Sequence, residues 1–304
     1  MKRLFLLGCL GALFLSLAGC DKPEVKTIDL SKKETPVPKV APSHKKPLRV
    51  AVGGMITPKE GFAYYRQFLD YLGAKLGRPV EYVDRENYAE INNMLKSGDI
   101  DVAFVCSLPY VNGHDEFGLE LLVAPQAYGK TVYFSYIIVA KTSAINRFTE
   151  LRGKTFAFTD PLSNSGKLVP TYMLACMKTT PERFFSKYIY TYGHDKAIKA
   201  VAQGLVDGAA VDSLIWDYAD HVNPVYTANT RIIEKSLPYG IPPVVIRAGL
   251  DRQLKEEIRK VFLTTHEDNE GREILKKMMI DRFVVIDNSA YDSIRAMKAW
   301  VEKR

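Results

Sequence analysis

Apolar residues recur along this chain with two different periods, and the changes of period mark its elements. Leu48-Arg49-Val50-Ala51-Val52 is a short run of strand type that ends in Gly53-Gly54. Phe62, Tyr65, Phe68, Leu69, Leu72 and Leu76 then recur at steps of three and four, which predicts a helix over 58–76. Gly77-Arg78-Pro79 stops that helix, Val80 to Val83 makes a second strand, 88–96 a second helix closed by Gly98, and 100–105 a third strand. Strands alternating with helices imply right-handed crossovers and a mainly parallel sheet. A second set follows, with strands at 155–158, 188–192 and 206–211, a helix from about 166 to 177, and another at 196–203 closed by Gly204.

The two sets echo each other. Gly98-Asp99-Ile100-Asp101-Val102-Ala103-Phe104-Val105 has the pattern of Gly204-Leu205-Val206-Asp207-Gly208-Ala209-Ala210-Val211, 106 residues further on. In both, a helix stops at glycine and an apolar strand begins after an acid. The expected fold is therefore α/β and two-lobed, with lobe one at 48–140 plus 245–304 and lobe two at 141–244. The apolar segments Val132 to Ala140 and Val244 to Arg247 are expected to pass between the lobes as hinge strands. Helices near 251–263, 268–279 and 289–302 would return to lobe one. Open α/β sheets bind beyond the carboxyl ends of their strands, so the ligand belongs in the cleft between two facing lobes.

The amino-terminal pattern is different. Lys2 and Arg3 precede an apolar stretch from Leu4 to Leu17, shorter than the roughly 20 residues of a membrane span. Leu17-Ala18-Gly19-Cys20 resembles the bacterial lipobox. Residues 1–19 are read as a signal peptide and Cys20 as the acylated residue, with palmitate-like chains holding the protein to the cell membrane; more than one chain gives stable anchoring. Asp21 resembles a signal for retention on the inner membrane, which would leave the protein on its periplasmic face. Residues 21–47 hold seven lysines, five prolines and four acids with no apolar period, the composition of an extended tether.

Charge narrows the partners. The chain carries a net +7, but from Leu48 onward there are 33 basic and 31 acidic residues, which is no footprint of a nucleic-acid binder. The protein is expected to act as a monomer. Cys106 and Cys176 each lie in an apolar run and are expected to pack as small hydrophobes, with a disulfide between them left open.

The candidate chemistry gathers where strands end. After the strand at 155–158 comes Thr159-Asp160-Pro161-Leu162-Ser163-Asn164-Ser165-Gly166-Lys167. Small polar residues at a helix start present free N–H groups, hydroxyls and the positive helix end, a setting for an anion. An ordinary N-cap needs only one such residue, so Ser163, Asn164, Ser165 and Gly166 are read as ligand-binding. A P-loop is excluded, because the early glycine and a Ser/Thr after Lys167 are missing. His194, in Tyr192-Gly193-His194-Asp195, lies beyond the next strand, on the same edge. Ser107 and Tyr110 follow the matching strand of lobe one, Tyr88 stands at another strand-to-helix turn, and Tyr133 lies in a crossing segment. Tyrosines there can clamp a small ligand with ring and hydroxyl. Asp212 ends a strand and joins the set, although a capping or hinge role explains it more simply than catalysis. Lys130 and Lys167 are the only full positive charges near these loops, so binding by neutral donors is expected. There is no GxSxG, no HExxH and no paired carboxylate in these loops; no catalytic residue, metal or cofactor is expected.

The run from Asp160 to Pro170, Tyr192-Gly193-His194-Asp195, Tyr239-Gly240-Ile241-Pro242-Pro243-Val244-Val245, Asp281-Arg282-Phe283 and Tyr291-Asp292-Ser293-Ile294-Arg295 together resemble the phosphonate/phosphite/phosphate-binding components of ABC transporters. The resemblance covers about residues 48–298 and implies a type II periplasmic binding-protein fold, a small phosphorus oxyanion as ligand and an ABC permease as partner. It places oxyanion binding on Ser163, Asn164, Ser165 and His194, then Tyr88 and Tyr133. Where aminophosphonate-binding members carry an acid after the hinge, this chain has Pro242, which implies no preference for an aminated ligand. A sensor module signalling to a membrane histidine kinase would need the same clamp, so both readings stand at this level.

Overall fold

The computed structural model describes residues 45–53, 58–85 and 87–303. The signal peptide, Cys20 and the tether as far as residue 44 lie outside the described residues. Among those described, no helix is long and apolar enough to cross a membrane.

β1 (Leu48–Val52) is buried along nearly its whole length, with Arg49 alone half-buried and paired with Asp101. α1 (Pro58–Leu76) lays Tyr65, Phe68, Leu69, Leu72 and Leu76 on the sheet, the stripe its period predicts. β2 (Val80–Val83) follows, then α2 (Tyr88–Ser97), whose start is capped by Asn87 and whose end is Gly98 at φ 79°, a left-handed conformation that glycine adopts without strain. β3 (Val102–Phe104), α3 (Ser107–Phe117) and β4 (Glu120–Gln126) complete the first passage. The chain then crosses through β5 (Val132–Tyr133) into β6 (Ser135–Ala140).

The second passage runs β7 (Thr155–Phe158), a π-turn at Asn164–Leu168, α4 (Val169–Cys176), α5 (Pro181–Phe184), β8 (Lys187–Tyr190), α6 (His194–Ala202), β9 (Gly208–Asp212), α7 (Ser213–Val222) and β10 (Thr230–Lys235). The return is through β11 (Tyr239–Gly240) to β12 (Val244–Ile246), followed by α8 (Arg252–Thr264), α9 (Asn269–Lys277), β13 (Arg282–Val284) and α10 (Asp292–Glu302).

Two sheets result, in the orders β13-β4-β12-β3-β1-β2 and β10-β6-β9-β7-β8, joined by the two-stranded pair β11-β5. Read from β2 and from β8, both follow one plan. A strand, the first strand and a third strand pair in parallel, then a crossing strand inserts antiparallel beside the third. The echoed segments hold the same position in this plan, as β3 and β9. The α/β, two-lobed expectation holds. The parallel expectation holds for the three-strand half of each sheet only, because a strand arriving from the other lobe enters in the opposite direction.

The lobe boundary needs correction. The segment 132–140 is not one hinge strand at the end of lobe one. It breaks at Phe134, and β6 pairs with β9 and β10 inside the second sheet. The hinge is the short pairing Tyr239↔Tyr133 and Gly240↔Val132. An apolar strand buried on both faces looks the same in either sheet, so pattern could not choose its neighbours. α3, β4, α7 and β10 were not predicted. The first half of α3, from Ser107 to Val111, is buried throughout, which erases the one-sided stripe that marks a helix. Helix α6 starts at His194 itself rather than at 196. Both cysteines are free; Cys106 is buried as expected, whereas Cys176 is exposed because it closes the last turn of α4 on its solvent side.

Candidate functional site

The loop from β7 to α4 is built around its own backbone. Ser163 caps the π-turn, its Oγ accepting from the Gly166 N–H at 2.9 Å. Gly166 has to be glycine: a Cβ there would stand 1.6 Å from Thr159 Oγ1. Ser135 Oγ donates to the Ser165 carbonyl at 2.6 Å, which ties the loop to the first residue of β6. Ser163, Asn164 and Ser165 are wholly buried, and the hydroxyl of Ser165 has no partner among the described residues. Neither has the hydroxyl of Thr159 nor Oδ1 of Asn164. A π-turn at a loop of this kind widens the helix start and frees backbone groups.

The ends of β8 and β9 add a second pair. His194 is buried, and its Nδ1 accepts from the Asp212 N–H at 3.0 Å. Burial lowers its pKa to about 3, so the ring is neutral. With Nδ1 accepting, the proton sits on Nε2, a buried donor with no partner among the described residues. Asp212 caps α7 through Oδ1, which accepts from the Leu214 N–H at 2.8 Å, while Oδ2 has no partner among the described residues. Burial raises its carboxyl to about 7, against the pull of the Leu214 and Ile215 N–H groups.

Lobe one and the hinge close the other side. Asn164 Nδ2 donates to Tyr133 Oη at 2.9 Å, and that hydroxyl lies 3.9 Å from Cys106 Sγ. Burial raises the Cys106 thiol to about 11, with the Asn164 N–H opposing and the Asp212 charge adding, so residues from both lobes meet here. Tyr88 is buried, packed with Cys106 of lobe one and with Ile215 and Leu162 of lobe two. Its N–H donates to Asp160 Oδ2 across the cleft at 3.2 Å.

Four residues named from the sequence sit elsewhere. Ser107 spends its hydroxyl on the Gly240 carbonyl at 2.7 Å and so braces the hinge. Tyr110 packs edge-on against Tyr291 and donates to Asn288 Oδ1 at 2.7 Å, inside lobe one rather than in the cleft. Lys167 turns away from the loop, with Nζ 4.0 Å from the Phe158 ring centroid and the rings of Tyr188 and Tyr190 beside it. Lys130 is exposed in the turn after Ala127. Thr159 and Asp160 were missed as single residues. The signal available was position, since both directly follow the last residue of a buried strand.

A cavity of about 70 Å³ adjoins this cluster, between Asp212, Leu214, Ile215 and Tyr218 on one side and Tyr65, Phe104, Ile241 and Pro242 on the other. Among the described residues no group of acids, histidines and cysteines gathers as a metal site. The arrangement offers neutral donors at a helix start, two unpaired acceptors and an adjoining apolar wall. It suits a small polar anion that itself carries a hydrogen.

Residues 54–291 match the family model described as the periplasmic substrate-binding protein of a phosphonate ABC transporter. A probable ABC transporter phosphite binding protein of Prochlorococcus marinus is 22% identical over 242 residues, 76% of this chain and 81% of its own. A phosphate-import protein of Mycolicibacterium smegmatis is 27% identical over 219 residues, 68% of this chain and 64% of its own. The solved structure of PhnD1 from Prochlorococcus marinus in complex with methylphosphonate has a similar fold, with a TM-score of 0.77 at 20% identity over 85% of this chain and 99% of that one.

Proposed function

Because this chain belongs to the periplasmic substrate-binding proteins of ABC phosphonate transporters, we propose that it captures a small phosphorus oxyanion between its lobes and presents it to an ABC permease. The ligand is a phosphonate, phosphite or phosphate, held by Thr159, Ser163, Asn164, Ser165, His194, Tyr88, Tyr133 and Asp212. One observation carries this reading: the hydroxyls of Thr159 and Ser165 and Nε2 of His194 are buried donors without partners among the described residues, beside a helix start. Each such group costs about 1–3 kcal/mol while unsatisfied, and an oxyanion satisfies several at once. Binding through dipoles also avoids the desolvation of buried ammonium groups. The unpaired oxygen of Asn164 asks for hydrogen on the ligand, which the P–OH of a monoanion supplies; Oδ2 of Asp212, whose carboxyl titrates at about 7, accepts such a hydrogen when charged and donates one when neutral.

Pro242 and Asp212 line the same cavity. The lack of an acid at 242 therefore does not leave that end of the site without a carboxyl, and the expectation of indifference to an amine loses its footing. A thermal-shift and calorimetric series with phosphate, phosphite, methylphosphonate, aminoethylphosphonate and sulfate tests the assignment. A ligand at 100 times its Kd adds about 2.7 kcal/mol of stability. Aminoethylphosphonate is expected to bind at least as tightly as methylphosphonate. Ser165→Ala is expected to weaken binding about ten- to a hundred-fold, the effect of one lost donor to a charged partner. If no phosphorus compound shifts the wild-type protein, the reading is wrong.

The protein is further read as a lipoprotein, acylated on Cys20 and held at the outer face of the cytoplasmic membrane. The lipobox-like Leu17-Ala18-Gly19-Cys20 after an apolar stretch supports this. So does a family whose members work beside a membrane permease.

A further inference from the structure

Helix α2 of lobe one begins with N–H groups that have no partner inside the helix, as every helix does. Asn87 serves the third of them, its Oδ1 accepting from the Glu90 N–H at 2.9 Å. The first, on Tyr88, is served from the other lobe. It donates to Asp160 Oδ2 at 3.2 Å, while Asp160 Oδ1 accepts from the Leu162 N–H at 2.7 Å. Both residues are buried, at 3% exposure each, and the bond is sealed by the side chains of Tyr88 and Cys106 from lobe one and of Ile215 and Leu162 from lobe two. Each lobe thus supplies half of one small closed contact.

We infer that Asp160 is the latch of the clamp: its carboxylate, carried on the anion loop of lobe two, caps helix α2 of lobe one only when the lobes are shut. The positive end of a helix favours an anion within its first turn, and shielding from water strengthens that attraction. The carboxylate thereby takes the helix end that lobe one would otherwise turn toward a bound anion, and the ligand is left to the donors of the β7–α4 loop and His194. Burial raises the carboxyl, and the N–H groups of Leu162 and Tyr88 oppose that rise. Asp160 does not need to touch the ligand. It is a positioning residue, which sets how long the closed state lasts.

The latch rests on the cleft being the binding site, but the contact itself involves no ligand. Two variants separate it from a role in shaping the loop. Asp160→Ser can keep the local turn to the Leu162 N–H, as serine does in such turns, yet is too short to reach Tyr88. Asp160→Asn keeps the size and loses the charge. Stopped-flow binding of methylphosphonate should show the dissociation rate raised about ten- to a hundred-fold in Asp160→Ser, with the association rate within about threefold of wild type. The Asn variant should fall between. Small-angle scattering of the ligand-saturated variants should report a larger radius of gyration than wild type, with the thermal midpoint of the ligand-free protein unchanged. A wild-type dissociation rate in Asp160→Ser overturns the latch. So does loss of the native thermal transition in both variants, which would assign Asp160 to the fold of the loop. If wild type itself binds no phosphorus oxyanion, the proposed ligand class fails instead; the latch is then read from scattering of the ligand-free proteins, where an Asp160→Ser variant no more open than wild type overturns it.

Discussion

His194 and Asp212 are joined by one hydrogen bond and titrate in opposite senses. Burial holds His194 at about 3, below the 6.5 of a free ring. The stability it contributes is therefore complete above about 6.5 and is lost as pH falls toward 3, because the unfolded chain takes up the proton first. Burial raises Asp212 to about 7, from 3.8. Its contribution is complete below about 4 and is lost as pH rises through 7, where the folded protein must give up a proton that the unfolded chain has already released. Asp212→Asn keeps the cap on α7, since asparagine caps as well as aspartate, and removes only the titration. The thermal midpoint of the ligand-free variant should therefore fall less between pH 5 and pH 8 than that of wild type. Parallel curves for the two proteins over that range would mean that Asp212 is not the buried, near-neutral acid described here.

At the scale of the element, the β7–α4 connection is held from four sides. Ser163 caps it, Ser135 of β6 ties its backbone, Asn164 reaches the hinge tyrosine, and Lys167 is anchored over Phe158. Lys167, one of the two charges near the loop in sequence, is a strut, its ammonium held over the rings of Phe158, Tyr188 and Tyr190. The tightest point is Gly166 against Thr159. A methyl group at 166 has to displace the Thr159 hydroxyl or the turn itself, and overpacking of this kind costs about 1–3 kcal/mol. Gly166→Ala should lower the thermal midpoint and raise the Kd for methylphosphonate together. Affinity like that of wild type, measured by calorimetry, would show that the loop yields without disturbing the site.

For the molecule as a whole, two lobes built on one plan exchange a strand each. β6 carries the chain into the second sheet and β12 carries it back into the first, with the pairing of β5 and β11 between them. Helix α10 packs its Ile294 and Met297 into one apolar cluster with Leu168 and Val169 of the second lobe, so the two lobes share a buried contact besides the hinge. Such a clamp serves a permease best if it stays near the membrane. Cys20→Ser should abolish incorporation of a labelled fatty acid and move the protein from the membrane fraction to the soluble fraction of fractionated cells. Fatty-acid label retained by the Ser variant would show that the anchor lies elsewhere.

Sequence by itself determined the elements that show a face. α1, with apolar residues at three and four, and β1, with four apolar residues in five before a glycine pair, were legible as a surface helix and a buried strand, and the echo between the segments that became β3 and β9 made two lobes legible. The helix start after β7 was legible as a candidate anion site, because three small polar residues before a glycine exceed what an N-cap needs, and the proposed function rests on that reading. Tertiary structure decided what depends on neighbours distant in the chain. It assigned β6 to the second sheet, turned Tyr110 and Lys167 inward to rings that pattern could not place, and gave Ser107 to the hinge. It also brought the Asp160 carboxylate to the first N–H of α2, 72 residues away. The physical reason is the same in each case. Periodicity records whether a side chain is buried, while its partner is set by packing between segments whose order in space the local pattern does not contain.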